Sequence, residues 1–448
     1  MIIGGGPAGN TCATVAAMLG ADVTLVEREI IGGAAHLWDC IPSKALIATG
    51  AELGELGRAE TMGLHATEGE LDVDALKRRI EEIQSRLHES VCDLLSSQGV
   101  RLITGSARFE DPHTVVVDTT DGHEHLPAEF VVIATGSRPR IPEFATVDGD
   151  RVLTTRHCYP PPAIPEHAIV IGSGVTGVEF THMFDSLGCK VSLLVSRQQV
   201  LPIKDAEVAA ALEEAFLERG VTLLKGARAN AIERNGDGVR VACEDGRVVE
   251  GSHAVLAVGS VPNTEDLGLA DVGVILDPAG YVVVNHNCVS SLRHVYAIGD
   301  VSGTLPLSSV AAMQGRKIAE HLMGMHNRPH RNLDYDKAAS AVFTEPEIAD
   351  VGLAEAEAFA SGRKIRVTKV PYSANAKALI KGDPRGFVKI VSDPATGVVL
   401  GGSIVGRNAA ELIAVIAVAV TNGLKVVDIV DSLLVHPTLS ESLADAAS

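Results

Sequence analysis

The chain has 448 residues, a formal net charge of −19 and seven cysteines. Such an acidic chain is not expected to bind nucleic acid or an anionic membrane surface, because both attract clustered Lys and Arg. The length exceeds what one hydrophobic core usually serves, so we expect roughly three domains.

Cysteine usage and hydropathy indicate the compartment. The cysteines include no CxxC pair, which fits a reducing cytoplasm better than a secreted disulfide scaffold. The longest apolar stretch, residues 412–420, is far shorter than the roughly 20 residues of a membrane-spanning helix. We therefore expect a cytoplasmic protein without a membrane span.

The first predicted unit is a strand, a glycine-rich turn, a helix and a second strand. The turn GGGPAG fits GxGxxG, the helical pattern covers residues 10–19, and the second strand covers residues 22–26. Such glycines let the backbone approach a pyrophosphate, the helix N-terminus supplies N–H donors, and an acid after the second strand binds ribose hydroxyls. The unit predicts a dinucleotide site on four residues: Gly4, Gly6, Gly9 and Glu27.

A second unit of the same type follows later in the chain. Its first strand covers residues 168–171 and its helix runs through residues 179–187. The turn between them, GSGVTG, carries the three glycines of the motif: Gly172, Gly174 and Gly177. The chain therefore encodes two dinucleotide sites.

The second unit departs from the first at the end of its second strand, residues 190–195. Ser196 and Arg197 follow that strand, where the first unit has Glu27. An acid there would repel a 2′-phosphate, whereas a small polar residue followed by arginine accepts it. We expect NADPH to be preferred over NADH; the alternative is that Arg197 is a solvated charge and both nucleotides serve.

Further strand-and-turn signatures support a duplicated architecture. An apolar strand that ends in a glycine closes each unit, at residues 131–136 and 254–259, and a third short strand, from residue 295, is followed by an acid. The residues of interest in these turns are Thr135, Gly136, Gly259 and Asp300.

The last quarter of the chain differs in composition from the first two units. From about residue 338 it contains the segment FTEPE (residues 343–347) and an apolar helical stretch at residues 409–420. Before it, His326 and His330 have the spacing of metal ligands on a helix, but the intervening Pro329 would break that helix, so we assign no metal.

Together these motifs resemble the flavoprotein disulfide reductases, in particular dihydrolipoamide dehydrogenase and its relatives. The two glycine turns, CIPSK at residues 40–44, GD at Asp300 and HPTLSE at residues 436–441 occur in family order. The resemblance implies an α/β fold with two Rossmann-like FAD/NAD(P)-binding domains and a C-terminal α+β dimerisation domain. The implied boundaries are residues 1–148 and 264–335 for FAD, 149–263 for NAD(P) and 336–448 for a homodimer interface.

The resemblance also implies roles for individual residues. FAD would lie on the first glycine turn with Glu27, NAD(P)H on the second, and Asp300 would contact the ribityl chain; Gly33, Thr135, Gly136 and Gly259 complete the expected cofactor contacts. Lys44 and Glu179 match a family pair beside the flavin, where a cation stabilises developing negative charge. His436 and Glu441 match an acid–base pair that reaches the partner subunit's site, or else are a structural remnant.

The redox segment departs from the family pattern. The family has two cysteines five positions apart, but here Ala35 replaces the first and only Cys40 remains. A disulfide requires two sulfurs, and reduction of lipoamide, glutathione or mercuric ion needs an attacking and a resolving thiol. Cys40 would face the flavin, either in a charge-transfer contact or as a packing residue.

A subgroup of the family without the dithiol acts as NAD(P)H:quinone reductases, and the segments GSGVTGVEF and GSVPN are similar to theirs. We therefore predict an FAD enzyme that passes electrons from NAD(P)H through flavin directly to a quinone. Two alternatives stay open. One is a dihydrolipoamide dehydrogenase-like reductase that uses another thiol, and the other is an inactive flavoprotein subunit that binds a partner.

Overall fold

The structure is a computed structural model that describes residues 1–65, 69–159, 161, 163–325 and 333–448. His326 and His330, for which no metal role was predicted, lie outside the described residues. None of the described helices combines the length and the apolarity that a bilayer crossing requires.

The helices are α1 (Pro7–Met18), α2 (Ile41–Gly57), α3 (Val73–Ser97), α4 (Val175–Ser186), α5 (Ala206–Glu218), α6 (Ser308–Leu322), α7 (Glu355–Ala360), α8 (Ala376–Ile380), α9 (Ala409–Asn422), α10 (Val426–Val430) and α11 (Glu441–Ala447). A π-helix covers Ala35–Asp39. Short 3₁₀ turns cover Ala59–Met62, Thr155–Cys158, Gly299–Ser302, Tyr335–Lys337 and Tyr372–Ala374.

The strands are β1 (Ile2–Ile3), β2 (Thr24–Glu27), β3 (Arg101–Thr104), β4 (Ser106–Asp111), β5 (Thr114–Thr119), β6 (Gly122–Pro127), β7 (Val131–Ile133), β8 (Ser137–Pro139), β9 (Val152–Thr154), β10 (His167–Ile171), β11 (Lys190–Val195), β12 (Thr222–Lys225), β13 (Ala229–Asn235), β14 (Gly238–Cys243), β15 (Val248–Gly251), β16 (His253–Leu256), β17 (Ser260–Pro262), β18 (Val295–Ala297), β19 (Ser340–Val342), β20 (Ile348–Gly352), β21 (Arg366–Pro371), β22 (Phe387–Ser392) and β23 (Val399–Val405).

The chain folds into two compact units. The first unit comprises Met1–Ser43, Val73–Arg140 and Gly259–Tyr335, and the second comprises Lys44–Asp72, Ile141–Val258 and Asp336–Ser448. Each unit contains one of the two predicted glycine-rich turns.

The first unit is built on a parallel sheet with the strand order β18-β7-β1-β2-β3. Its central strand pairs on both sides, with Ile2 opposite Leu25 and Val132. Leu25 is fully buried, as expected for a parallel sheet that is covered on both faces. Helices α1 and α6 pack against each other, and the unit also contains two antiparallel sheets, β4-β5-β6 and β17-β8.

The second unit contains a parallel sheet with the order β12-β11-β10-β16-β9 and an antiparallel sheet β13-β14-β15. The central strand β10 pairs Ile169 with Ser192 on one side and with Ala254 on the other. As in the first unit, the central strand is the one that leads into the glycine turn. The predicted duplication of a Rossmann-like unit is therefore present.

The C-terminal part of the second unit is an antiparallel sheet with the order β19-β20-β23-β22-β21. Helix α9 packs on β20 and β23, and α11 packs on β21 and β22. Its core includes Ile390, Ile404 and Ile416, each at most 1% exposed. This mixed sheet-and-helix arrangement agrees with the predicted α+β domain.

Element boundaries differ from the predictions mainly at the glycine turns. Helix α1 begins at Pro7 and α4 at Val175, inside the GxGxxG motifs rather than after them. Proline is favoured in the first helical turn, where its missing N–H has no intrahelical partner to lose. Glu27 closes β2, as predicted, but the strand begins at Thr24 rather than at residue 22.

Candidate functional site

The first glycine turn brings the backbone close to a neighbouring strand and leaves space at its centre. Gly4 has φ +103°, and a Cβ there would lie 2.3 Å from the Ala134 carbonyl oxygen. A Cβ at Gly9 would lie 1.9 Å from the Gly4 carbonyl oxygen, whereas a Cβ at Gly6 would meet nothing within 4 Å. Gly6 is the N-cap of α1 and offers no side chain to its N–H groups. This is the arrangement that binds a pyrophosphate.

Glu27 stabilises this turn through hydrogen bonds to the backbone. Its Oε2 accepts a hydrogen bond from the Gly5 N–H at 2.7 Å, and its Oε1 accepts one from the Glu29 N–H at 2.8 Å. The carboxylate borders a cleft of about 340 Å³, which is also lined by Thr135 and Asn263. Turn and cleft together fit the pyrophosphate and ribose of a dinucleotide such as FAD.

Thr135 and Asn263 join two glycine turns of the first unit. The Thr135 hydroxyl donates to the Asn263 carbonyl oxygen at 2.7 Å, and the Asn263 amide donates to the Thr135 carbonyl oxygen at 2.8 Å. Gly136 and Gly259, in these turns, both have positive φ and space for a Cβ. Asn263 is a further site residue that the sequence motifs did not predict, although it belongs to the GSVPN segment.

Gly33 and Asp300 lie on other loops of the first unit. A Cβ at Gly33 would lie 3.0 Å from the Gly6 Cα, so this residue closely approaches the glycine turn. Asp300 lies in the 3₁₀ turn after β18, and Ser137 donates to its Oδ2 at 2.7 Å. Burial raises the pKa of the Asp300 carboxyl.

The second glycine turn repeats the geometry of the first. Gly172 has φ +114°, with a Cβ position 2.2 Å from the Ala257 carbonyl oxygen, and a Cβ at Gly177 would lie 1.8 Å from the Gly172 oxygen. A Cβ at Gly174 would meet nothing within 4 Å. The turn therefore fits a second dinucleotide in the same way.

Ser196 and Arg197 are exposed directly after β11. The Arg197 carbonyl oxygen accepts the Gly226 N–H at 3.0 Å, which fixes its backbone beside the end of β12. At the end of β11, the second unit therefore has a hydroxyl and a guanidinium. Glu27 occupies the equivalent position of the first unit.

Lys44 and Glu179 form an ion pair. Lys44, on α2, donates from Nζ to Oε2 of Glu179, on α4, at 2.8 Å. The Glu179 side chain is 9% exposed and the Lys44 side chain 32%. The second carboxylate oxygen of Glu179 accepts the Phe343 backbone N–H at 2.9 Å. Phe343 was not predicted as a site residue, because a main-chain donor leaves no signal in residue type.

Cys40 follows the π-helix at Ala35–Asp39. Its N–H donates to the Ala35 carbonyl oxygen at 3.2 Å, and its Sγ lies 3.6 Å from the Ser308 hydroxyl oxygen. Gln84 of α3 donates from Nε2 to the carbonyl oxygens of His36 and Leu37, both at 3.0 Å. The Gln84 side chain therefore holds the segment that leads to Cys40.

The cysteines in the described part of the chain are free thiols. Burial raises the pKa of several of these thiols, to about 12 for Cys12 and to about 11 for Cys189 and Cys288. The pKa values of Cys92, Cys158 and Cys243 are raised for the same reason. These thiols hold their protons at neutral pH, and the thiolate is the nucleophile in exchange with a disulfide.

His436 and Glu441 also form a pair. The His436 Nδ1 lies 2.7 Å from Oε1 of Glu441, and Oε2 of Glu441 accepts the Thr438 N–H at 2.9 Å. The Thr438 N–H, followed by His436, lowers the pKa of the Glu441 carboxyl. His436 is 73% exposed. Since Nδ1 is engaged, Nε2 is the ring atom that can exchange a proton with a substrate.

Two family models match the chain. The model described as pyridine nucleotide-disulphide oxidoreductase matches residues 1–315, and that of the dimerisation domain of the same family matches residues 338–447.

Similar proteins cover the full chain. NAD(P)H dehydrogenase (quinone) from Mycobacterium tuberculosis is 42% identical over 100% of this chain and 92% of that protein. Dihydrolipoyl dehydrogenase from Zymomonas mobilis is 35% identical over 100% of this chain and 96% of that protein. The crystal structure of LpdA from M. tuberculosis has a TM-score of 0.94 at 41% identity and covers 100% of this chain and 98% of its own. The flavoprotein disulfide reductase RclA from Escherichia coli, as a Cu(II) complex, has a TM-score of 0.90 at 26% identity with the same coverage.

Proposed function

The chain belongs to the pyridine nucleotide-disulphide oxidoreductase family, and we propose that it is an NAD(P)H:quinone oxidoreductase that works without a redox-active disulfide. FAD and NAD(P)H are the cofactors of the family. The observation that carries the proposal is Ala35, which leaves Cys40 as the single thiol of the redox segment. A lone thiol cannot form the disulfide through which family members reduce lipoamide.

We assign the proposed binding functions to the domains with the predicted boundaries. Residues 1–148 and 264–335 would bind FAD, residues 149–263 NAD(P)H, and residues 336–448 would form the homodimer interface. When bound, FAD would supply the redox chemistry that links hydride donation by NAD(P)H to reduction of the acceptor. The open positions at Gly6 and Gly174 would hold the two pyrophosphates. Ser196 and Arg197 support a preference for NADPH.

Two side-chain pairs would act on charge and protons. Lys44, held by Glu179, provides a fixed cation that stabilises negative charge developing beside it. His436, oriented through Nδ1 by Glu441, gives a proton from Nε2 to the oxygen of the reduced acceptor, and a positioned imidazole typically contributes about 10²–10⁴-fold. In a homodimer this proton would be delivered to the partner's site.

The thiols argue against the alternative of lipoamide chemistry through another cysteine. Each candidate replacement thiol has a raised pKa because it is buried, so little thiolate is present to attack a disulfide. The names of relatives do not decide the matter, since one is a quinone reductase and another a dihydrolipoyl dehydrogenase. The free-thiol usage also supports our placement of the enzyme in the cytoplasm.

Steady-state turnover of the purified FAD-loaded protein tests the proposal. NADPH and NADH oxidation is followed with a soluble quinone and, separately, with lipoamide, for the wild type and for Cys40→Ala. We expect turnover with quinone and none with lipoamide. Lipoamide turnover that disappears in Cys40→Ala would show thiol chemistry and contradict the proposal. Failure of NADPH to bleach the flavin would instead indicate an inactive subunit.

A further inference from the structure

Phe343 contacts both members of the Lys44–Glu179 pair. Its backbone N–H donates to Oε1 of Glu179 at 2.9 Å, and its ring centroid lies 4.8 Å from the Lys44 Nζ. We propose that Phe343 is a positioning residue that holds the Lys44 ammonium in place against Glu179. The inference rests on the proposed function, because it assigns Lys44 the role of a fixed cation.

The ring acts on Lys44 through electrostatics and shielding. An ammonium within about 6 Å of an aromatic centroid is attracted by the negative face of the ring. The Lys44 side chain is 32% exposed, so the ion pair with Glu179 alone does not remove it from water. With Glu179 and the ring both in contact, the flexible lysine side chain is restricted to fewer rotamers.

The main chain fixes the position of the ring. Phe343 directly follows β19, in which Val342 pairs with Ile348 of β20. Thr344, 3% exposed, donates its N–H to the Val342 carbonyl oxygen at 3.1 Å and its hydroxyl to the Pro346 carbonyl oxygen at 2.7 Å. The segment after β19 is therefore anchored on both sides of the ring.

The two contacts can be separated by mutation. Every residue except proline keeps the backbone N–H that Glu179 accepts. Phe343→Leu removes the aromatic face but keeps an apolar side chain, and Phe343→Tyr keeps the ring. Phe359→Leu is the matched control, because Phe359 is 88% exposed on α7.

The test uses the FAD-loaded protein and three readouts: the rate of flavin reduction by NADPH without oxygen, the midpoint potential of bound FAD, and the acetylation rate of Lys44 by mass spectrometry. For Phe343→Leu we expect a rate about threefold to tenfold lower, a more negative potential and faster acetylation, because the cation is no longer held. Phe343→Tyr should stay close to the wild type in all three readouts, and Phe359→Leu should match the wild type. If Phe343→Leu does not bind FAD, Phe343→Met serves the same test.

An unchanged potential and an unchanged acetylation rate in Phe343→Leu would overturn the inference, even if reduction slowed, because slowing alone indicates a general structural role. The failure of the proposed function looks different. A wild type that does not reduce quinones, but whose potential still responds to Phe343→Leu, would contradict the proposed acceptor and uphold the positioning role.

Discussion

Residue 35 lies one π-helical hydrogen bond before Cys40, since its carbonyl oxygen accepts the Cys40 N–H at 3.2 Å. A cysteine at position 35 would restore the family spacing on a backbone that already joins the two positions. The alanine there supplies no sulfur, and the reaction proposed for the chain depends on that single side chain.

Ala35→Cys should introduce the missing disulfide. We expect oxidised Ala35→Cys to lose the thiols of residues 35 and 40 in a thiol titration, and to gain lipoamide reduction that the wild type lacks. Ala34→Cys, one position away, is the control and should keep its thiols titratable. An Ala35→Cys variant that forms the disulfide but does not reduce lipoamide would show that the missing cysteine is not the only difference that prevents lipoamide reduction in this chain.

Single residues could be predicted where a motif names a side chain. The resemblance predicted that Lys44 would meet Glu179 and that His436 would meet Glu441, and the structure places both pairs within 2.8 Å. Their catalytic roles remain predictions. Phe343 and Gln84 could not be predicted, because the first acts partly through its main chain and the second reaches a main-chain carbonyl from a distant helix.

At the scale of elements, the π-helix at Ala35–Asp39 is the least predictable piece of the fold. Nothing in its residue types distinguishes i→i+5 from i→i+4 hydrogen bonding, and its carbonyl oxygens are held by Gln84 of α3. The glycine turns are the opposite case. Their conformation follows from residue type, because a Cβ at Gly4 or Gly172 would clash with a main-chain carbonyl oxygen of a neighbouring strand end.

Gln84→Leu should loosen the segment that leads to Cys40. It removes two hydrogen bonds, each worth about 1 kcal/mol, so we expect Cys40 to be alkylated by iodoacetamide up to about 30-fold faster. Glu81→Leu, at an exposed position of the same helix, should leave the rate unchanged. Equal alkylation rates in Gln84→Leu and the wild type would mean that Gln84 does not restrain the segment.

For the whole molecule, the duplication of the nucleotide-binding unit was predictable because each copy repeats the same motifs in the same order. The return of the chain into the first unit was predicted only by the family resemblance, for residues 264–335, and in the structure the returning segment is Gly259–Tyr335. Local sequence pattern does not show it, because it depends on β18 pairing with β7. Assembly is a further property at this scale. Leu433 and Val435 are 100% and 72% exposed just before His436, as is typical of an interaction surface.

Leu433→Asp should weaken the proposed homodimer. Placing a charge in an apolar interface costs desolvation, so we expect monomers in analytical ultracentrifugation and slower quinone turnover as His436 loses its partner site. Phe359→Asp, at an 88% exposed position elsewhere, should sediment as the wild type does. A dimer that survives Leu433→Asp would place the interface on another surface.

Acid should destabilise the protein through His182. Burial, and then Arg219, lower the pKa of this imidazole from 6.5 to about 3. Folding therefore favours the neutral ring. The contribution of His182 to the free energy of unfolding is complete above pH 6.5 and is lost as the pH falls from 6.5 towards 3; at pH 5 the loss is about 2 kcal/mol. The melting temperature should drop less between pH 7.5 and pH 5 in His182→Gln than in the wild type or in the exposed control His286→Gln. Equal drops in all three proteins would assign the acid sensitivity to other groups.

Anaerobic stopped-flow on the FAD-loaded wild type tests directly whether electrons pass from flavin to quinone without a disulfide. The flavin is reduced with NADPH and then mixed separately with a soluble quinone and with lipoamide, and the flavin spectrum reports reoxidation. We expect rapid reoxidation by quinone and none by lipoamide, because electrons pass directly from flavin to acceptor. Rapid reoxidation by lipoamide would mean that another thiol replaces the sulfur missing at Ala35, and would contradict the account.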